Sequence, residues 1–155
     1  MKRWIKIVLS VVVALLLVAQ LIPVDRSVPA LDESQDFLVA ENVPTEMATL
    51  IKGACYDCHS YQTQYPWYAK VAPLSFWIQD HINHGREELN FSDWNALSKR
   101  KKIKALNDMS EEVEEKKMPL DIYTLVHKDA KLSDDEIILL LNWSKSLSNE
   151  LLGAN

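Results

Sequence analysis

Three features of this 155-residue chain predict an all-α fold. Apolar residues return every three or four positions through most of its length, serines precede two of those runs as helix starts, and no alternating strand pattern of useful length occurs. With only 3 Gly and 6 Pro, turns are few. No internal repeat is visible, so the chain has room for one compact domain and one short appended segment.

The first element is apolar. Lys2, Arg3 and Lys6 precede a run from Ile7 to Ile22 that only Ser10 and Gln20 interrupt. Counted from Trp4 to Val24 the segment has about 21 residues, close to the ~20 that a helix needs to cross a ~30 Å hydrocarbon core. With no polar face, the run does not read as a buried helix of a soluble domain. It reads as an export signal or an anchor, and the lack of an A-x-A-like cleavage site favours the uncleaved anchor. Cations on its amino side keep that end in the cytoplasm and place the rest of the chain outside. The expected location is a single pass through the inner (cytoplasmic) membrane, with the C-terminal domain in the periplasm or extracytoplasmic space.

Residues 1–24 are thus expected to form the anchor, 25–42 a tether and 43–155 the folded domain. The tether is inferred from a switch to Asp, Glu, Ser, Val and Pro, with Pro29 and Pro44 opposing regular structure. In the domain, Val43, Met47, Leu50, Ile51 and Ala54 predict an amphipathic helix that leads directly into Cys55. An aromatic loop with Tyr61, Tyr65, Trp67 and Tyr68 follows, closed by Pro66 and Pro73. Leu74, Trp77, Ile78 and Ile82 mark the next helix, which Gly85 is placed to end. Ser92 is the expected N-cap of a helix carrying Trp94, Leu97, Ile103, Leu106, Met109 and Val113, with a break near Ser110. The last helix has the fullest signals. Ser133 and Glu136 form a capping box, Leu132 and Ile137 a hydrophobic staple, and Ile137, Leu140, Leu141, Leu147 and Leu151 one apolar face.

Net charge is −5, and setting aside Lys2, Arg3 and Lys6 leaves 14 basic against 22 acidic residues, or −8. That balance argues against nucleic acid as a partner. The run Lys99, Arg100, Lys101, Lys102 and Lys104, followed by Glu111, Glu112, Glu114 and Glu115, reads first as a solvated helix face with i,i+4 pairing. A docking patch for an acidic redox partner or for anionic headgroups is the functional alternative. Trp67, Trp77, Trp94 and Trp143 read as core and pocket walls.

Chemistry concentrates at Cys55-Tyr56-Asp57-Cys58-His59, a C-x-x-C-H sequence. Two thiols three positions apart can each add to one vinyl group of a haem, and the adjacent histidine then meets the iron. His59 is the expected proximal ligand. Its second ring nitrogen is expected to donate to a backbone carbonyl in the following loop. Three other readings of the pair are weaker. A thioredoxin-like dithiol wants a βαβ context that is missing, and a disulfide between Cys55 and Cys58 would close too short a loop to stabilise much. A zinc site could use Cys55, Cys58, His81 and His84, but H-x-x-H is shorter than the usual spacing.

A low-spin electron carrier needs a sixth ligand. Met118 is the leading candidate, because Pro119 breaks the preceding helix and lets the thioether be aimed from a loop. His81, His84 and His127 are the rivals, with His81 and His84 on one helix face; Met109 reads as core. If none of these binds, the iron position stays open and a gas sensor or peroxidase-like enzyme becomes the alternative.

Together these residues resemble the bacterial haem-binding domain family, exported single-haem proteins similar in organisation to class I cytochromes c. The resemblance spans Val43 to Leu147. It rests on the C-x-x-C-H helix, Ala72-Pro73-Leu74-Ser75-Phe76-Trp77, Gly85-Arg86, Leu89-Asn90-Phe91-Ser92-Asp93-Trp94, Met118-Pro119, Tyr123, His127, and the Leu132-Ser133 helix start with Trp143. It implies a class I cytochrome c-like helical domain with extra helices, one covalent haem c per chain, and redox proteins of a respiratory or periplasmic electron-transfer system as partners. It further implies that the first domain helix crosses the last, Leu50 or Ile51 against Leu140 or Trp143, with the haem between that pair and the Met118 loop. Arg86 is a candidate partner for a haem propionate. Met118 lies 59 positions after His59, a longer interval than in class I cytochromes c, and two predicted helices fill it.

The whole reading is therefore a membrane-anchored, extracytoplasmic one-electron carrier with one haem held by Cys55, Cys58, His59 and Met118. A haem-based sensor or enzyme and a zinc-stabilised interaction module are the alternatives.

Overall fold

A computed structural model describes residues 2–153 and is all-helical, with no strand among the described residues. Met1, Ala154 and Asn155, at the ends of the expected anchor and domain, lie outside that range. Seven α-helices follow in order: α1 (Lys2–Gln20), α2 (Phe37–Ala40), α3 (Thr45–His59), α4 (Leu74–Glu88), α5 (Lys99–Glu114), α6 (Asp121–Val126) and α7 (Asp134–Gly153). Short 3-10 helices occur at Glu33–Gln35, Trp67–Lys70, Phe91–Ala96 and Lys128–Ala130. By length and composition α1 can cross a membrane, and none of its residues is buried against the domain.

The core gathers the apolar faces that helical spacing picks out. Ile51 of α3, Leu106 of α5 and Leu140 of α7 are fully buried in one cluster, joined by Phe91 and Trp94 from the third 3-10 helix. The expected α3–α7 crossing is not the main contact of the last helix. Instead α7 lies along α5, with Leu106, Met109 and Val113 facing Leu140 and Leu147. Small residues let the two approach: Ser110 Oγ donates to Ser144 Oγ at 2.9 Å, and Ser144 Oγ donates to the Leu106 carbonyl at 3.2 Å. The capping box forms, with Ser133 N donating to Glu136 Oε2 at 2.7 Å and Glu136 N to Ser133 Oγ at 3.3 Å.

Four local expectations need correction. The tether is shorter than predicted, because residues 33–40 fold onto the domain. Phe37 is 0% exposed, with its ring centroid 4.5 Å from Trp94 and 5.1 Å from Phe91. The apolar run Phe37-Leu38-Val39-Ala40 is too short to show a helical period, so only the tertiary contact reveals its place in the core. Next, α4 runs three residues past Gly85, whose role is packing rather than termination. Ser92 caps no helix: it is buried, its Oγ accepts from Tyr61 N at 3.0 Å, and Asn90 caps the 3-10 helix instead. Finally, α5 has no break at Ser110 and ends before Pro119 can act. Lys116 adopts a left-handed φ of 57°, and Lys117 N donates to the Glu112 carbonyl at 2.9 Å, the bond pattern of a Schellman end.

The basic run divides. Lys104 pairs with Asp108 one turn on along the exposed face, whereas Lys102 turns inward to Glu41 at 2.9 Å. Glu41 also accepts the indole N–H of buried Trp94 at 2.6 Å, so this ion pair lies inside the fold.

Phe37→Ala is expected to destabilise the protein by about 3–5 kcal/mol, the usual cost of emptying a phenylalanine site in a core. Urea denaturation of the full chain checks this, and an unchanged midpoint would return residues 33–40 to the tether.

Candidate functional site

The C-x-x-C-H sequence occupies the last turns of α3, so Cys55 and Cys58 stand about one helical turn apart and His59 closes the helix. Ser60 ends it: its Oγ donates to the Tyr56 carbonyl at 2.7 Å and accepts from Gln62 N at 2.9 Å. Both cysteines are free thiols. Burial pushes the Cys55 thiol up to about 12, with the Cys58 sulfur adding to the rise. Cys58 is pushed up to about 11, again by burial, with Asp57 contributing. Burial thus favours the protonated thiol at both positions.

His59 has one nitrogen fixed. Its Nδ1 donates to the Leu89 carbonyl at 3.0 Å, so the neutral ring carries its lone pair on Nε2. Burial holds this imidazole below the usual histidine range, against the opposing pull of the Leu89 and Gly85 carbonyls. The partner carbonyl is not in the loop after the motif, as expected, but 30 positions on at the end of α4. Gly85 permits this approach. A Cβ there would stand 3.0 Å from the Cys58 carbonyl oxygen, so a side chain would push α4 off α3.

The two residues inside the motif brace it from either side. Tyr56 stacks on Phe91 with ring centroids 5.2 Å apart and planes within 9°, and its hydroxyl donates to buried Asp36 at 2.9 Å. Asp36 also accepts from Leu38 N at 3.0 Å and Gln62 Nε2 at 3.0 Å. On the other side, Asp57 Oδ1 accepts from Gln64 N and Oδ2 from the Tyr123 hydroxyl, each at 2.8 Å. Sequence reasoning missed Asp36, Asp57 and Leu89 as supports. Only the position of Asp57 between the two cysteines signalled one of them.

Against Cys58 lies an apolar cavity of about 330 Å³, walled by Trp77 and Ile82 of α4, Leu120, and Tyr123 and Val126 of α6. His81 and His127 line it as well. The Tyr68 hydroxyl and His127 Nε2 share a hydrogen bond, and Tyr123 stacks on the His127 ring at 4.4 Å. His81 Nδ1 donates to the Trp77 carbonyl at 2.9 Å. His84, expected on the same helix face, is instead exposed beside Glu87. Met118 does not line this cavity and packs against the central core. Arg86 is occupied nearby: Nε donates to the Ser60 carbonyl at 2.8 Å and Nη2 to Thr63 Oγ1 at 2.9 Å. Among the tryptophans, Trp94 is core and Trp77 a cavity wall, but Trp67 is 78% exposed, which corrects its reading as a wall.

Among the described residues, no group of three or more His, Cys, Asp or Glu is placed to hold a metal ion, so the zinc quartet is not assembled. The donor set fits a haem better. Two thiols three positions apart on one helix, an imidazole with its Nδ1 pinned, and apolar walls beside one thiol match what a porphyrin needs.

The site and the helical fold thus define a haem-binding protein. A family model described as a haem-binding domain matches residues 14–146, and the chain belongs to that family. No curated protein and no solved structure matches it.

Gly85→Ala is expected to cost about 1–3 kcal/mol, the range for overpacking, since backbone rather than a yielding side chain faces the new methyl. It should also release the His59 hydrogen bond. Thermal unfolding together with histidine nitrogen shifts reads both, and a variant as stable as the parent would show that α4 does not set the motif.

Proposed function

We propose that this protein is a membrane-anchored, extracytoplasmic c-type haem protein that carries single electrons. Cys55 and Cys58 hold one haem through thioether bonds, His59 Nε2 is the proximal ligand and Met118 the sixth. The observation that carries the reading is the C-x-x-C-H turn of α3 with His59 Nδ1 committed to the Leu89 carbonyl. When bound, the haem supplies a ferric/ferrous couple. The chain fixes the ring plane of His59 and sets apolar walls on the Cys58 side.

Anchoring draws support from α1. Its cations Lys2, Arg3 and Lys6 stand at the expected cytoplasmic end, and Gln20 at the other end hydrogen-bonds to the folded domain. Redox proteins of a respiratory or periplasmic system are the partners this location offers.

A second reading, an enzyme or gas sensor with a displaceable sixth ligand, is favoured by one observation. His81 and His127 face the cavity beside Cys58, whereas Met118 does not.

The test is intact-mass and absorption measurement of the full chain expressed with a haem-attachment system. One haem per chain is expected, lost as a covalent adduct in Cys55→Ala with Cys58→Ala; an unmodified mass would contradict the proposal. A weak near-infrared band of the ferric protein that vanishes in Met118→Ala identifies methionine ligation. Ready carbon monoxide binding by the ferrous parent, with no native ligand displaced, supports the second reading.

A further inference from the structure

The rim of the cavity continues into an exposed apolar face. Leu74, Trp77 and Val126 belong both to the cavity wall and to the surface, where they are 40%, 41% and 63% exposed. Leu125, 75% exposed, adjoins Val126, and Trp67, 78% exposed, packs edge-on against Tyr68 of the same wall. Val71, 45% exposed, completes the face. A contiguous apolar surface of this kind marks a binding surface for protein or membrane.

The end of α1 fixes what lies opposite it. Gln20 brackets Val71: its Nε2 donates to the Lys70 carbonyl at 2.9 Å, and its Oε1 accepts from Ala72 N at 3.0 Å. Arg26 Nη2 adds a bond to the Ala69 carbonyl at 2.6 Å, with its guanidinium 4.9 Å from the Tyr65 ring centroid. At ~1.5 Å per residue a 19-residue helix is roughly 28 Å long, nearly the ~30 Å of a hydrocarbon core. Gln20 therefore stands at the far edge of the hydrocarbon, and the segment it clamps cannot stand away from that edge. Exposed tryptophan is the residue type that the headgroup layer accommodates best.

We propose that the face formed by Trp67, Val71, Leu74, Trp77, Leu125 and Val126 lies in the headgroup layer of the bilayer that α1 crosses. Lipid then covers the mouth of the cavity beside Cys58. Soluble redox proteins must dock on other faces. This rests on the anchor reading above, and the test separates the two.

The full, haem-loaded chain is reconstituted in vesicles of phosphatidylcholine and phosphatidylglycerol with a benzoylphenylalanine photoprobe replacing Trp67, Leu125, Leu9 or Lys101 in turn. All four positions are exposed, so the probe disturbs no core, and an unchanged absorption spectrum confirms folding. Phospholipid adducts are expected at 67 and 125 at yields within a few-fold of position 9, and lost at position 101 on α5. Adducts at position 9 without any at 67 and 125, or 67 and 125 joined to a second copy of the chain, would overturn the proposal while leaving the anchor intact. No adduct at position 9 would overturn the anchor itself.

Discussion

One hydrogen bond organises the site: the Leu89 carbonyl accepts the Nδ1 proton of His59 across 30 positions of chain. An imidazole has two nitrogens and, when neutral, one proton to share between them. Fixing that proton on Nδ1 puts the lone pair on Nε2 and sets the ring plane, which is the arrangement the proposed iron ligation requires. Burial acts in the same direction by disfavouring the charged ring. Leu89 caps α4, and α4 lies close enough to α3 only because position 85 has no side chain.

The same logic extends through the motif. Its intervening residues are not spacers, since Tyr56 ties the turn to Asp36 on the N-terminal side and Asp57 ties it to Tyr123 of α6 on the other. Asp36 is a buried carboxylate that accepts from donors of α2, of α3 and of the loop after the motif, the hydrogen-bonded condition that makes such burial tolerable. The turn carrying the thiols is thereby fixed at both faces. His127 is held as firmly, between the Tyr68 hydroxyl and the Tyr123 ring, on the wall of the cavity that touches Cys58.

What was legible in the sequence was local. Helical spacing gave α3, α4, α5 and α7 with Met47, Ile51, Ile82, Leu106 and Leu140 correctly inside, and the Ser133–Glu136 box gave the start of α7. The cofactor followed from five contiguous residues and agrees with the family to which the chain belongs. What stayed hidden depended on partners far along the chain. Phe37 looked like part of a tether because the run Phe37–Ala40 is too short to show a period, and Gly85 looked like a helix stop because its close neighbour, the Cys58 backbone, is distant in sequence. Leu89 could not be singled out, since every residue has a carbonyl. Pairing of α7 with α5 turned on two serines, Ser110 and Ser144, which carry no apolar signal.

The 67–72 segment both walls the cavity, through Tyr68, and clasps the end of α1, so under the proposed anchoring a shift of the domain against the bilayer would be felt at the cavity. All of this presumes that His59 presents Nε2 to iron while Leu89 keeps the other nitrogen. Nitrogen NMR of the reduced, haem-loaded full chain labelled on histidine observes that arrangement directly. One imidazole is expected with its proton on Nδ1, no response to pH through the ordinary histidine range, and loss of the signal in His59→Gln. A His59 ring that titrates freely, or carries its proton on Nε2, would contradict it.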